Sequence, residues 1–237
     1  PDDRSQLQQF IDGLTPAQQL VEVNAFAAKL VADKQSCWLE IRADLAREGI
    51  RIVEAGELSD EDVEWLRSEF MRHMFPVLTP IAVDPAHPFP FILNKGLTIA
   101  VEMRSASDDK TMNGLIPISG NTDRFMRLPA SPDRPGEIRF IRAETLIGIF
   151  IEELFTDFEI KAQGAFRVLR DSDIEFEEEA EDLTRSFENQ LKRRRRGNVI
   201  RLEIEASMPA HLRQFVISEL EVGEHAVFIK DGLLGLA

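Results

Sequence analysis

The spacing of apolar residues changes along the chain, and each change predicts a change of structure. Thr15-Pro16-Ala17-Gln18 opens a helical stretch. Thr15 suits the N-cap, Pro16 the first helical position, and Gln18 completes a capping box. Leu20, Val23, Phe26, Ala27, Leu30, Val31, Trp38, Ile41 and Leu45 follow at helical spacing, and Gly49 supplies the stop. A helix of about 30 residues is roughly 45 Å long and belongs in a bundle or between domains. Residues 1–12 read as the remains of a neighbouring helix. Ile50 to Val53 predicts a short strand or an extended linker. Ser59-Asp60-Glu61-Asp62 starts a second helix, acid-first as the helix dipole favours, which Pro76 ends.

Pro76, Pro80, Pro85, Pro88 and Pro90 then predict an extended, stiff strap, because proline suits neither a helix interior nor a central strand. Phe75, Phe89 and Phe91 are its expected anchors. Beyond the strap the period falls to two. Strands are expected over 97–103, 114–118, 124–128, 137–141 and 199–206, and over 158–170 as one strand or two joined at Gly164. On the 199–206 strand Ile200, Leu202, Ile204 and Ala206 share a face. Helices are expected over 143–155, 176–194 and 209–220, with a last strand over 226–230. Helices and strands alternate without a βαβ rhythm, so the fold class is α+β with a mixed or antiparallel sheet.

Composition narrows the function. Of 237 residues, 43% are hydrophobic and 30% charged, with 28 Lys and Arg against 42 Asp and Glu, a net charge of −14. That balance opposes non-specific binding to nucleic acid or a membrane surface. Apolar runs such as 146–151 are too short to span a bilayer. Nothing reads as a secretory leader, so the expected compartment is the cytoplasm, a peripheral station at the inner membrane face being compatible with it. The single Cys37 rules out an intramolecular disulfide and a Cys-clustered zinc site, and beside Trp38 it reads as a small buried hydrophobe. The chain opens on Pro1, not Met, and closes on Asp231-Gly-Leu-Leu-Gly-Leu-Ala237. This predicts a piece of a longer protein, its apolar tail covered by something further on. The alternative is a tail folded back on its own core.

No catalytic constellation emerges. The sequence has no Gly-rich phosphate loop followed by Lys, no Gly-x-Gly-x-x-Gly and no His-Glu-x-x-His. His73, His87, His211 and His225 are far apart in sequence. Eight acids lie within 171–182, and Lys192 to Arg196 are five consecutive bases. The two runs suit the two ends of one helix. Arg195 and Arg196, past its end, are the better phosphate candidates. A second series is Arg124, Arg127, Arg139, Arg142, Arg167 and Arg170. A planar guanidinium binds phosphate bidentately, though a solvated sheet face is the ordinary role. Arg167 and Arg170 fall on opposite faces of a regular strand and meet one ligand only if the strand ends or bulges near Leu169.

One stretch is too idiosyncratic for chance: Phe75-Pro-Val-Leu-Thr-Pro-Ile-Ala-Val-Asp-Pro-Ala-His-Pro-Phe-Pro-Phe91. It resembles the strap of the long, phosphohistidine-forming class of polyphosphate kinase. Residues 165–173, the acid-to-base run 178–196, residues 201–209 and the 231–237 exit resemble later segments of that family. The resemblance implies that residues 1–49 are the end of a helical N-terminal domain and 50–237 a head, or middle, domain. The family's two catalytic domains would then be missing partners. It also implies an ATP:polyphosphate phosphotransferase in the full-length protein, with Mg²⁺ and ATP, a homo-oligomer, and polyphosphate as ligand. The phosphorylated histidine, the Mg²⁺-associated arginines and the adenine contact all match positions outside this chain, so none of its histidines is the catalytic one. This portion alone is expected to be inactive, with no cofactor bound. It would shape a tunnel entrance and a subunit contact. Its candidate phosphate contacts are Arg167, Arg170, Arg195 and Arg196. The competing reading is an autonomous anion- or nucleic-acid-binding module.

Overall fold

The computed structural model describes residues 13–83, 89–107, 109–120, 122–171 and 197–235. The expected helices over 1–12 and 176–194, the middle of the strap, His87, Arg195 and Arg196 lie outside the described residues. The elements are α1 (Pro16–Arg47), β1 (Ile50–Val53), α2 (Asp60–Glu69), β2 (Ile81–Val83), β3 (Leu97–Ser105), β4 (Thr111–Ile118), β5 (Phe125–Arg127), β6 (Ile138–Arg142), α3 (Ala143–Ile149), α4 (Ile151–Leu154), β7 (Phe158–Arg170), β8 (Val199–Glu205), α5 (Ala210–Glu219) and β9 (Val227–Lys230). The fold is α+β.

The local signals act as expected. Thr15 and Gln18 close their capping box at the start of α1, and Gly49 takes φ +79° just after its end. Ser59 and Asp62 make a second box at α2. A π turn then carries the chain from Phe70 to Met74, and Pro76 sits in the short 3₁₀ turn that follows. Ile81–Val83 of the strap pairs antiparallel with β4 at the sheet edge, a position that tolerates flanking prolines.

Two sheets form. The larger has the order β2-β4-β3-β7-β8-β9, antiparallel except for the parallel β8/β9 pair. The smaller, β1-β6-β5, pairs β1 and β6 in parallel. One core joins a face of the larger sheet (Ile99, Val101, Met103, Ile116) to Leu66, Phe70, Ile141, Leu146 and Phe150. A second joins the opposite face (Ala100, Leu115, Phe166, Val168, Leu202, Ile204) to Met208, Leu212 and Val216 at α5.

β-Bulges decide which side chains face which core. Glu102 pairs with Ala162 but Met103 pairs with Ile160, leaving Lys161 as the extra residue. Ile160 therefore joins the first core while Ala162, Phe166 and Val168 face the second. β7 is thus one strand with its irregularity at Lys161, not at Gly164. On β8, Leu169 pairs with Arg201 and Arg170 with Val199, which leaves Ile200 extra. Ile200 is consequently turned out to solvent at 51% exposure, a departure from the shared face its alternation predicts.

Two more expectations change. The 143–155 helix is broken at Phe150, whose φ of −109° ends α3 and begins α4. The ring is buried against Phe70 at 5.3 Å, and its packing takes precedence over helix continuity. Cys37 is exposed, not buried, because the outer side of α1 has nothing over it among the described residues. Phe75, Phe89 and Phe91 are half-buried. Phe89 meets Phe215 edge-on at 6.0 Å and Phe91 lies beneath Arg170.

α1 rests on the body by one side. Arg42 donates to the Ile52 carbonyl at 3.3 Å and pairs with Glu54, and Gln35 donates to the Asp231 carbonyl at 2.5 Å. Ala27, Val31, Trp38 and Leu45 are half-buried on that side, while Leu20, Val23, Phe26, Leu30 and Ile41 are exposed. The tail behaves differently. Leu233 and Leu234 are buried within this chain. No helix among the described residues is long and apolar enough to cross a membrane.

Candidate functional site

The arginine series separates into distinct surroundings. Arg139 is buried and donates both Nη groups to Asp62, at 2.5 and 2.8 Å, and one also to the Pro129 carbonyl. It ties β6 to the first turn of α2. Arg142 reaches Glu54 at 2.8 Å and Glu144 at 3.7 Å. Arg170 donates to the carbonyls of Ile92 (3.0 Å) and Gly197 (2.9 Å), and its guanidinium lies 4.6 Å from the centre of the Phe91 ring. These bonds fasten the end of the strap to the end of β7.

Arg167 has another setting. Its Nε donates to the Lys95 carbonyl at 3.1 Å, and its Nη1 lies 3.8 Å from Glu203. Burial lowers the guanidinium's affinity for its proton, Glu203 opposes this, and the charges of Arg124 and Arg201 add to the lowering. Gly235 makes room for it: a Cβ there would lie 2.8 Å from the Arg167 Cδ. The bulge at Ile200 lies near Leu169, yet Arg167 and Arg170 do not converge. Arg167 is held by the Lys95 carbonyl and Glu203, Arg170 by the Ile92 and Gly197 carbonyls and the Phe91 ring.

Glu203 is the anion that orders this corner. Lys230 approaches it at 2.6 Å, the Gly235 N–H at 3.0 Å, Arg201 at 3.7 Å and Arg167 at 3.8 Å. Burial pushes the carboxyl up, but the Lys230 hydrogen bond and charge, the Gly235 N–H and Arg167 outweigh it, so the group sits below the ordinary carboxylate range. One carboxylate thus serves three cations. Read along β8 alone, Glu203 is one more charge in an alternating strand.

Around Arg167 opens a cleft of about 640 Å³ between the 93–97 turn, residues 117–120, 122 and 124, and Gly235. Lys95, Arg124 and Arg167 line it, with Asn94, Ser119 and Thr122. No acidic residue and no aromatic ring is among its lining residues. Arg124 pairs with Glu144 at 2.8 Å. Lys95 sits in the left-handed region at φ +60°, between the strap and β3, and the sequence reading missed it. The Asn94-Lys95-Gly96 turn was the available signal. A second cleft, of about 600 Å³, has the opposite character, with Glu54, Glu144 and Glu205 around Arg142.

The described histidines stay apart. His73 lies 3.4 Å from Glu69 on the helix surface. His211, on α5, meets Glu102 of β3 at 2.8 Å, remains 59% exposed, and lines neither cleft. His225 is in a 3₁₀ turn at the surface. Among the described residues no three His, Cys, Asp or Glu side chains converge to hold a metal ion.

Residues 61–237 match the family model of the polyphosphate kinase middle domain. The chain belongs to the polyphosphate kinase family. It is 41% identical over 227 residues to a polyphosphate kinase of Erythrobacter litoralis, covering 95% of this chain and 31% of that protein. A polyphosphate kinase of Mycolicibacterium gilvum is 39% identical over 228 residues, again covering 95% of this chain and 31% of its own length. The chain therefore spans about a third of the length of the curated relatives it matches. The crystal structure of polyphosphate kinase from Porphyromonas gingivalis shares the fold, with a TM-score of 0.70 at 16% identity, over 92% of this chain and 32% of that one. This assignment does not favour the autonomous-module reading.

Proposed function

We propose that this chain is the framing, non-catalytic part of an ATP:polyphosphate phosphotransferase. The head begins near Gly49, and α1 closes a helical domain before it. In the full-length protein the γ-phosphate of ATP passes reversibly to a polyphosphate end through a phosphohistidine that lies outside these 237 residues. Mg²⁺ acts with groups outside them too. The head shapes the entrance to the reaction tunnel and contributes a contact of the homo-oligomer.

The observation that carries this reading is the match to a polyphosphate kinase middle domain over 61–237, combined with the setting of the histidines. Phosphoryl transfer depends on positioning and on cations that stabilise the moving charge. His211 has a carboxylate partner but lines neither cleft, and His73 and His225 sit on the surface. A net charge of −14 also keeps the chain from holding a polyanion by its overall field, so contact with polyphosphate is local, and Arg167 is its best-placed candidate. The test is the full-length protein. With ATP and Mg²⁺ it should lengthen polyphosphate and, with ADP, run in reverse, while carrying an acid-labile phosphate on a histidine beyond this chain. A full-length protein that forms neither polyphosphate nor phosphohistidine would overturn the reading.

A further inference from the structure

We propose that the cleft lined by Lys95, Arg124 and Arg167 binds a linear run of inorganic phosphates. The inference rests on the polyphosphate reading and adds a site to it.

Charge distribution is the first argument. Acids outnumber bases by 42 to 28 in this chain, yet among the described residues no acid lines this cleft and three cations do. The second cleft gathers three glutamates, so the segregation is not a general property of the surface. The cations also have charge to spare. Arg167 shares Glu203 with Lys230, which lies closer, and with Arg201. Arg124 shares Glu144 with Arg142. An arriving anion can therefore take up Arg124 and leave Glu144 with a cation beside it. Nε of Arg124 is buried with no hydrogen-bond partner among the described residues.

Shape and chemistry select the ligand. A volume of about 640 Å³ suits a ligand larger than one phosphate. The three cations come from three separate segments, which fits successive phosphates of a chain. A nucleotide is disfavoured because, among the described residues, no ring lines the cleft for a base to stack on. Gly235 keeps the Arg167 side chain in place, since any side chain at this φ of +64° would press on it.

The test is calorimetric titration of the 237-residue chain with long-chain sodium polyphosphate, tripolyphosphate, ATP and inorganic phosphate at two ionic strengths. Polyphosphate should bind most tightly and inorganic phosphate least. Lys95→Asn, which tolerates the left-handed backbone, and Arg124→Gln should each weaken polyphosphate binding about tenfold and flatten its salt dependence by about one contact. Arg127→Gln, exposed on β5 and outside the cleft, should change neither. Lys95 makes no ion pair with the described residues, so Lys95→Asn reports on binding even if Arg124→Gln disturbs the fold. Unchanged affinity and slope in Lys95→Asn would overturn the proposal, as would no polyphosphate binding at all, or ATP binding more tightly than tripolyphosphate. A full-length protein active with ATP but unaltered in binding by these variants removes the cleft alone. An inactive full-length protein whose binding falls in these variants removes the reaction and keeps the cleft.

Discussion

Asp62 receives both Nη groups of Arg139, at 2.5 and 2.8 Å, in a site where both side chains are buried. The same carboxylate accepts the Ser59 N–H and so closes the capping box of α2. One pair therefore fixes a helix start to the central strand of the smaller sheet. Asp62→Asn should destabilise the chain by about 3–5 kcal/mol, because it strands a buried guanidinium. The Arg139 hydrogen bond, acting against burial, holds the Asp62 carboxyl below the usual range. A carboxyl depressed by folding stabilises above its unfolded value, near ~3.9, and that gain is lost as pH falls through the folded value. Denaturant midpoints of wild type and variant should differ fully at neutral pH and converge in acid. A gap that persists undiminished in strong acid would show that the pair is not its source.

Gly164 in β7 lies under the start of α5. A Cβ there would sit 2.5 Å from Met208 Cβ and 3.0 Å from its Cα, and backbone yields poorly. Gly164→Ala should cost about 1–3 kcal/mol by overpacking the second core. Urea denaturation checks this, and an unchanged midpoint would mean that Met208 retreats freely.

Arg170 holds the strap through the Ile92 and Gly197 carbonyls and the Phe91 ring. Arg170→Gln should lower stability by about 1–3 kcal/mol and leave polyphosphate affinity unchanged. Weakened affinity with unchanged stability would return Arg170 to the ligand.

These residues show why some of the structure was legible in the sequence and some was not. Signals that act within a few residues were legible: the Thr15 and Ser59 boxes, Gly49, the alternation of β3 and the prolines that confine Ile81–Val83 to an edge. The bulges at Lys161 and Ile200 were not, because a period of two does not say which residue its partner strand skips. Phe150 breaks a helix for the sake of a ring contact made far along the chain. The site followed the same rule. Arg124 and Arg167 stood out as arginines, but only the sheet order sets them around one cleft with Lys95. Glu203 became the organising anion only once β9 brought Lys230 beside it.

The central claim is that this chain frames a phosphotransfer it does not perform, and the direct measurement is phosphorylation of the chain by itself. It is incubated with γ-labelled ATP, Mg²⁺ and polyphosphate, and bound label is tested for acid lability and mapped by mass spectrometry. A phosphoacceptor histidine needs a base and a held donor, and among the described residues the exposed His211 has the half-buried Glu102 beside it and lines neither cleft. The account predicts no acid-labile label on His73, His87, His211 or His225 and no lengthening of polyphosphate. Stoichiometric acid-labile phosphate on any of these four, lost when that histidine is replaced, would contradict it.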